Sequence, residues 1–598
     1  MGLLQECIKT YDCSSKYIGK YIDGKVPLAP VGHITTVADI EVTVNEDGEF
    51  LKCGEISKKE KIIIPVTEDS SSRSANIAPH ILSDQLLYLG GDKEKYVAYM
   101  SQLKMIADKE YVSKTINAVY TYMEKNTLLS DLKVSFPDLF EADSLQLKKD
   151  KQKLLVRWIV VLNGKPIKCW EDKETFECVT RWYSEYRTSD ISLCMLTGKE
   201  EGVAEKHLKG IVPLFGNAKI ISANDTSGFT FRGRFIDGKE SSSISYEASQ
   251  KAHNALKWVV ENEGVICGNK VFVCWVPEGI KAKCGPLQSI LVSEQSNHIK
   301  PSEYRYKLQK QLLGNTNMDS FHRQIIICGF EAATSGRLSI TYFNQMRESD
   351  YYERLKDWDS TCYWWKWSMK DKQYIVENPD IEKIVKYTFG IYRLKDERHG
   401  TFEVSDSGVL GNQIQNLINC RVNHKKIPVL IMRLLVEKAS NLHLYYADSL
   451  TVETLLHITC SIITKYYYDY YGKEAHMELN NNEDLSYQFG RLLAIAEKAE
   501  KDTYQSDETR EPYAIRMQTR FVQRPLHTFK EIQEHLKRSY YPRLSVGTRN
   551  YYETLIEEIF AEIAKEPEFQ SKCNKPLKET YLVGYYLQKK NLYSGKEK

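Results

Sequence analysis

Toward the end of the chain, apolar residues recur every three to four positions, the spacing that lines one face of an α-helix. One run carries Leu485, Phe489, Leu492, Leu493, Ala496 and Ala499, and another carries Tyr552, Leu555, Ile556, Ile559, Phe560 and Ile563. Between them, Thr528-Phe-Lys-Glu531 has the form of a capping box opening a short helix, with Phe529, Ile532 and Leu536 on its inner side. Residues 477–598 therefore read as a small all-α bundle that folds as a unit. The first half carries period-two alternation instead. Val37–Val44 alternates, Asp47-Gly48 marks a hairpin turn, Phe50–Ile56 returns, and Ile62-Ile-Ile-Pro65 supplies a third strand of a meander. Leu154–Leu162 running into Asn163-Gly164 is a second hairpin, and residues 93–127 are helical. Glu247–Val260 is a helix, Lys270–Val276 a buried strand, and Gln324–Gly329 pairs with Ser335–Tyr342. From Tyr351 onward the pattern is helical, with Trp358, Trp364, Trp365 and Trp367 at the joint between the two parts.

This order of elements predicts an α+β protein. A mixed α/β region with antiparallel sheets is followed by an all-α bundle. The expected divisions are 1–150, 151–345, a helical connecting region 346–476, and the terminal bundle 477–598. Composition agrees with a globular chain: 42% of residues are hydrophobic and 27% charged. No apolar run approaches the roughly 18 residues of a membrane span. The first residues lack a basic stretch leading into an apolar one, so the expectation is a cytoplasmic protein. The 14 cysteines never form Cys-x-x-Cys, which speaks for reduced thiols and against a structural metal.

Charge changes the picture locally. Arg516–Arg549 holds eight basic residues (Arg516, Arg520, Arg524, Lys530, Lys537, Arg538, Arg543 and Arg549) against Glu531 and Glu534. That surplus of six exceeds the chain's formal net charge of +2. A solvated helix face accounts for such a run. With Phe521, Tyr540 and Tyr541 interleaved, so does a surface where phosphates meet cations and bases stack on rings. Two further loops have the same double reading. Asp69-Ser-Ser-Ser-Arg-Ser-Ala-Asn76 suits either a surface connection or a groove-reading loop. Gly228-Phe-Thr-Phe-Arg-Gly-Arg234 suits a hairpin edge or one presenting Arg232 and Arg234 to phosphate. Arg337 fits a nucleic-acid contact or an ion pair.

Catalytic signatures are absent. There is no Gly-x-x-x-x-Gly-Lys-Ser/Thr loop, no His-Glu-x-x-His and no Gly-x-Ser-x-Gly. Cys194 has no histidine beside it in sequence and reads as a buried structural thiol. The expectation is a protein with no catalytic residues, no metal and no cofactor. A purely structural scaffold, or a nuclease with an unfamiliar site, is the alternative.

Several blocks resemble the large subunit of the type I-C CRISPR surveillance complex, Cascade. They are Arg73-Ser74 with Ala78-Pro-His-Ile-Leu-Ser-Asp84 and Tyr88-Leu-Gly90; Gln324-Ile-Ile-Ile-Cys-Gly329 with Ser335-Gly-Arg-Leu-Ser-Ile-Thr-Tyr342; Phe489-Gly-Arg-Leu-Leu-Ala494 with Glu497; and Tyr581-Leu-Val-Gly-Tyr-Tyr-Leu-Gln588. The resemblance implies a non-catalytic subunit of a crRNA-guided complex, with guide crRNA, target double-stranded DNA and other Cascade subunits as partners. It implies recognition of the protospacer-adjacent motif (PAM) by the N-terminal part, with Arg73, Ser74 and Asn76 as candidate readers. Arg232, Arg234 and Arg337 would add nucleic-acid contacts. Help in duplex opening, stabilisation of the R-loop and recruitment of a separate nuclease-helicase follow in the same way. The displaced strand would lie along Arg491, Arg516, Arg520, Arg524, Lys537, Arg538 and Arg543. In this family the C-terminal part is also made from an internal start as a small subunit. Met477 is the candidate start here, or else an ordinary methionine.

Overall fold

The alternating Ile40-Glu-Val-Thr-Val44 does form a strand, but its neighbours are not the expected ones. The computed structural model describes residues 2–73, 76–222, 235, 238–278, 323–369, 372–396, 399–474, 476–481, 483–505, 508, 510–565 and 569–594. The chain divides into two compact units: Met1–Ile266 with Lys270–Lys283 and Gln324–Gln345, and Cys267–Asn269 with Cys284–Arg323 and Met346–Lys598.

The first unit begins with α1 (Leu3–Cys13), β1 (His33–Val37), β2 (Ile40–Asn45), β3 (Phe50–Glu55) and β4 (Lys61–Pro65). Helices α2 (Lys93–Ala107) and α3 (Lys114–Glu124) lead to β5 (Val156–Leu162), β6 (Lys165–Lys168) and α4 (Lys173–Tyr186). The sheet order is β3-β2-β5-β6, with β2 and β5 parallel. The expected three-strand meander is therefore corrected. β4 leaves β3 and pairs antiparallel with β1, from His33↔Pro65 to Val37↔Lys61. Asp39 sets this arrangement. Its main-chain N–H donates to the Leu155 carbonyl at 2.9 Å and its carboxylate accepts the Leu155 N–H at 3.0 Å, which places β5 on the edge of β2. Ile62, Ile63 and Ile64 are all buried, so β4 cannot serve as a strand with one wet face. Trp158 is fully buried in this core, and its indole N–H donates to the Leu82 carbonyl at 2.9 Å; the Tyr99 hydroxyl donates to the same oxygen at 2.8 Å. Together they hold Leu82 at φ +68°, a strained conformation for a branched residue, just before Asp84.

The short hairpin β7 (Ile191–Leu193) and β8 (Glu200–Gly202) follows, then α5 (Tyr246–Glu263), β9 (Val265–Cys267), β10 (Lys270–Trp275), β11 (Gln324–Thr334) and β12 (Arg337–Arg347). The last four form one sheet in the order β12-β11-β10-β9. Every residue of β10 is buried. α1 and α5 share a core with it, and the Trp275 N–H donates to Thr10 at 3.0 Å.

The second unit is not wholly helical, as the periodicity from Tyr351 suggested. After α6 (Glu348–Asp359), the hairpin β13 (Trp364–Ser368) and β14 (Gln373–Glu377) holds Trp364, Trp365 and Trp367 on one strand. Bulky aromatics suit a pleated, half-buried surface as well as a helix. Helix α7 (Ile381–Phe389) and hairpin β15 (Ile391–Leu394) with β16 (Gly400–Glu403) come next. The remainder is helical: α8 (Ser407–Asn423), α9 (Val429–Ala439), α10 (Ser449–Tyr471), α11 (Leu485–Lys501), α12 (Tyr513–Arg516), α13 (Gln518–Gln523), α14 (Pro525–Ser539), α15 (Val546–Ala564) and α16 (Thr580–Ser594). The expected capping box at Thr528 is also corrected. α14 starts at Pro525, whose missing N–H costs nothing at the first helical position, and Thr528 lies inside the first turn. No helix among the described residues is long and apolar enough to cross a membrane.

α11 is the centre of this unit: every residue from Ser486 to Glu500 is buried. It crosses α16 at two glycines. A Cβ on Gly490 would stand 1.9 Å from the Tyr581 carbonyl oxygen, and one on Gly584 would stand 2.1 Å from that of Tyr487. The two backbones therefore touch, and no side chain fits between them. The terminal segment also bonds into the strand and helices before it. The Trp365 N–H donates to the Met477 carbonyl at 2.7 Å, Gln518 to that of Ala439 at 2.9 Å, and the hydroxyls of Tyr581 and Ser440 lie 2.6 Å apart.

Since α11 has no solvent face, its charged residues are satisfied internally. Glu497 is held by Lys501, Lys589 and the Tyr585 hydroxyl. Burial pushes its carboxyl up, but the two ammonium groups and the Tyr585 hydroxyl override this and bring it down to about 2. The ordinary value is 4.5, so the stabilisation is fully present above that pH and is lost as pH falls toward 2, in total on the order of 3 kcal/mol. Glu497→Gln is expected to lower the urea midpoint at pH 7 and to differ from wild type progressively less between pH 4.5 and 2. A constant difference across that range would contradict the assignment.

Candidate functional site

Two regions carry the sequence-predicted contacts, one in each unit. In the first, the short helix Glu68–Ser72 is capped by Thr67, whose hydroxyl accepts the Ser70 N–H at 3.1 Å, and the chain leaves it at Arg73. Arg73 does not point outward. Its guanidinium donates to both Asp84 oxygens at 2.8 and 2.5 Å and to the Ala78 carbonyl at 3.0 Å, and lies 4.3 Å from the Tyr88 ring centroid. Asp84 is completely buried and also accepts the N–H groups of His80 and Gln85, at 2.6 and 2.7 Å. Arg73 is thus the clamp of this loop. The Arg-Ser and Ala-Pro-His-Ile-Leu-Ser-Asp blocks meet because one supplies the fork and the other the carboxylate. Asn76, in contrast, is exposed. Ser74 lies outside the described residues, as do Arg232 and Arg234.

Behind the loop, Glu68 receives Arg187 at 2.9 Å and the N–H groups of Glu205 and Lys206 at 3.1 and 3.4 Å. The Lys209 ammonium donates to the Arg73 carbonyl. Arg337 is exposed at the start of β12. Cys194 is fully buried, its sulfur accepting the Ser245 N–H at 3.2 Å. Among the described residues, no cluster of His, Cys, Asp and Glu is placed to hold a metal.

In the second unit the cations and the rings separate. Phe521, Tyr540 and Tyr541 are buried, at 0, 4 and 3% exposure, so they offer no stacking platform; this corrects the interleaved reading. Phe521 packs between Phe489 and Phe529, with ring centroids 6.1 and 6.4 Å away. Arg516, Arg524, Lys530, Lys537, Arg538 and Arg543 are exposed. On α14 the buried residues Thr528, Phe529, Ile532 and Leu536 form one stripe, which leaves Lys530, Lys537 and Arg538 on the solvent half. Arg516 and Arg543 lean on the rings of Tyr513 and Tyr540. Arg520 is engaged, donating to both oxygens of Glu531 at 2.8 and 3.0 Å. Arg491 leaves the set altogether. It is 8% exposed and donates to Gln588 at 3.0 Å, Asn481 at 2.7 Å and Gln488 at 2.9 Å. It stitches α11 to α16, and a strand has no access to it.

A protein-family model described as CRISPR-associated protein (Cas_Csd1) matches residues 10–593, nearly the whole chain. The chain belongs to the Cas_Csd1 family. This is the family of the large subunit of type I-C Cascade, and the match covers most of both units. No curated protein matches the chain. Family membership places the molecule among the subunits of a CRISPR-associated complex, and the geometry above divides its family signatures into two kinds. Arg73, Asp84, Arg491, Glu497, Tyr581 and Tyr585 build the fold, whereas Arg337 reaches solvent, as does Asn76 between two of the blocks.

Sequence reasoning missed the clamp because no local spacing signals a pair eleven residues apart. Loss of the clamp strands a fully buried carboxylate, so Arg73→Ala is expected to destabilise the first unit by about 3 kcal/mol without any DNA present. Arg73→Lys should recover only part of this, because a point charge cannot reproduce the fork. Unfolding midpoints of the free protein measure this, and unchanged midpoints would contradict the clamp.

Proposed function

We propose that this chain is a DNA-reading, non-catalytic subunit of a type I-C Cascade. Its first unit recognises the PAM on duplex DNA, and its second unit holds the displaced strand once the guide crRNA has paired. Sequence choice over most of the target is then delegated to base pairing, and protein–phosphate contacts tip a nearly balanced strand exchange. In the same reading the chain works in the cytoplasm, assembled with the other Cascade subunits. It recruits a separate nuclease-helicase after the strands have opened, and Met477 begins a second, small-subunit product.

The observation that carries this reading is the solvent face of α14 and its flanks. Among the described residues, Arg524, Lys530, Lys537 and Arg538 make no ion pair, although acids are common in the chain as a whole. A face kept cationic beside buried rings binds a strand through phosphates rather than bases. It therefore tolerates any sequence, as a displaced strand of arbitrary sequence requires. In the first unit, exposed Asn76 stands three residues after the clamped Arg73 and is a side chain able to meet a base edge. The scaffold alternative gains some support from the inward use of Arg73, but it gives the cationic face no role.

The test is R-loop formation by the assembled complex at several salt concentrations. Changing Arg524, Lys530, Lys537 and Arg538 to Gln is expected to flatten the dependence of log affinity on log salt by roughly 0.7 per removed contact, with PAM choice unchanged. A slope equal to wild type would support the scaffold alternative instead.

A further inference from the structure

A second cationic feature lies in the first unit, assembled by main-chain bonds between three segments distant in sequence. The loop from Lys209 to Lys219 is closed by the Gly210 N–H donating to the Ala218 carbonyl at 3.2 Å. Gly210 and Gly216 turn it, at φ +67° and +56°, a conformation that other residues adopt only under strain. This closure brings Lys209 and Lys219 side by side. Lys219 then pairs with the start of β12. Its N–H donates to the Gly336 carbonyl at 3.1 Å and its carbonyl accepts the Leu338 N–H at 2.8 Å, so Arg337 stands opposite Lys219 in parallel register. At the other end, the Lys209 ammonium reaches the Arg73 carbonyl, which ties the row to the clamped arginine.

Among the described residues, these cations have no counter-ion. Nearby pairs are already closed on themselves: Arg73 with Asp84, Arg187 with Glu68, Lys206 with Asp69. Among the described residues, Lys219 and Arg337 make no ion pair, and the Lys209 ammonium meets only a neutral carbonyl. Lys209 and Lys219 are half-buried. Burial, then Lys219 and Arg73, lower the Lys209 ammonium; burial, then Lys206, do the same to Lys219. The neighbouring imidazoles offer no negative charge either. Burial, then His253 and Lys219, lower His207 to about 3; burial, helped slightly by Lys219 and opposed by the Ser249 carbonyl, lowers His253 to about 4. A half-buried cation without a partner is costly, and a row of them is relieved by a polyanion.

We propose that Lys209, Lys219 and Arg337 form a track for successive phosphates of one strand of duplex DNA, leading to Arg73. This rests on the reading of the first unit as the PAM-recognition part. Chains paired as Lys219 and Arg337 are lie about 4.8 Å apart, so the two side chains reach neighbouring phosphates. The track fixes register along the backbone and leaves base reading to Asn76. Duplex phosphate is favoured over an acidic peptide because cations on two segments held one strand spacing apart match the regular repeat of a phosphate backbone.

The experiment uses the assembled complex on a library of duplex targets with randomised flanking bases, with affinity followed against salt. Lys219→Met and Arg337→Gln are each expected to lower the salt slope by about one and to weaken binding evenly across the library, leaving the order of preferred flanks intact. Arg337 is exposed, so its variant keeps the test valid should Lys219→Met fail to fold. Wild-type slopes in both folded variants would overturn the track, as would competition by poly-glutamate as effective as that by duplex DNA. A wild-type complex with no flank preference would instead overturn the PAM reading itself, which separates the two failures.

Discussion

Contact between two helix backbones is the constraint on which the second unit depends. Gly490 and Gly584 each leave room for the other helix's main chain, and the carbonyls of Tyr581 and Tyr487 occupy the space a Cβ would need. Helices that approach so closely exclude water along their whole crossing. With α12, α14 and α15 packed around the other faces, α11 is buried on every side, including Arg491, Glu497, Lys498 and Glu500. Each of those charges has to find its partner inside, and each does so at short range: Arg491 on Gln588, Glu497 on Lys501 and Lys589, Lys498 on Asp502, Glu500 on Tyr504 and the Tyr513 N–H.

The same constraint distributes charge between inside and outside. With α11 as the core, the helices around it turn their rings inward, and Phe521, Phe529, Tyr540 and Tyr541 fill the space. The cations of α14 and its flanks are left at the surface. The sorting that makes this bundle stable is therefore also what leaves its outer face cationic. The first unit shows a parallel economy. A buried Arg73–Asp84 fork holds the chain there, the Lys209 ammonium ties in at the Arg73 carbonyl, and Asn76 and Arg337 are left exposed.

Helical periodicity in the terminal segment was legible from the residues alone, since the positions at Leu485–Ala499 and Tyr552–Ile563 are dictated by burial of one face. The hairpin at Asn163-Gly164 was equally plain; both residues adopt positive φ, as a tight turn of this kind demands. What escaped the sequence was non-local. The parallel pairing of β2 with β5 depends on Asp39 meeting Leu155, and the exchange of β4 to β1 depends on which sheet can bury three consecutive isoleucines. Arg73 and Arg491 resembled ligand contacts because an arginine beside small or glycine residues looks alike in one dimension, whether it faces a phosphate or a buried carboxylate or amide. The glycines Gly490 and Gly584, by comparison, sat in plain view inside helices, where glycine costs about 1 kcal/mol relative to alanine and so calls for a reason. The reason is close approach.

That close approach is open to direct measurement. Gly490→Ala and Gly584→Ala remove the small intrinsic penalty of glycine but place a methyl group against a carbonyl that cannot rotate away. Hydrogen exchange of the amides from Ser486 to Glu500, together with the unfolding midpoint, reports the outcome. The account predicts a net loss on the order of 3 kcal/mol and loss of exchange protection along α11 in both variants. Protection and midpoint equal to or above wild type, as alanine in an unconstrained helix would give, would contradict it.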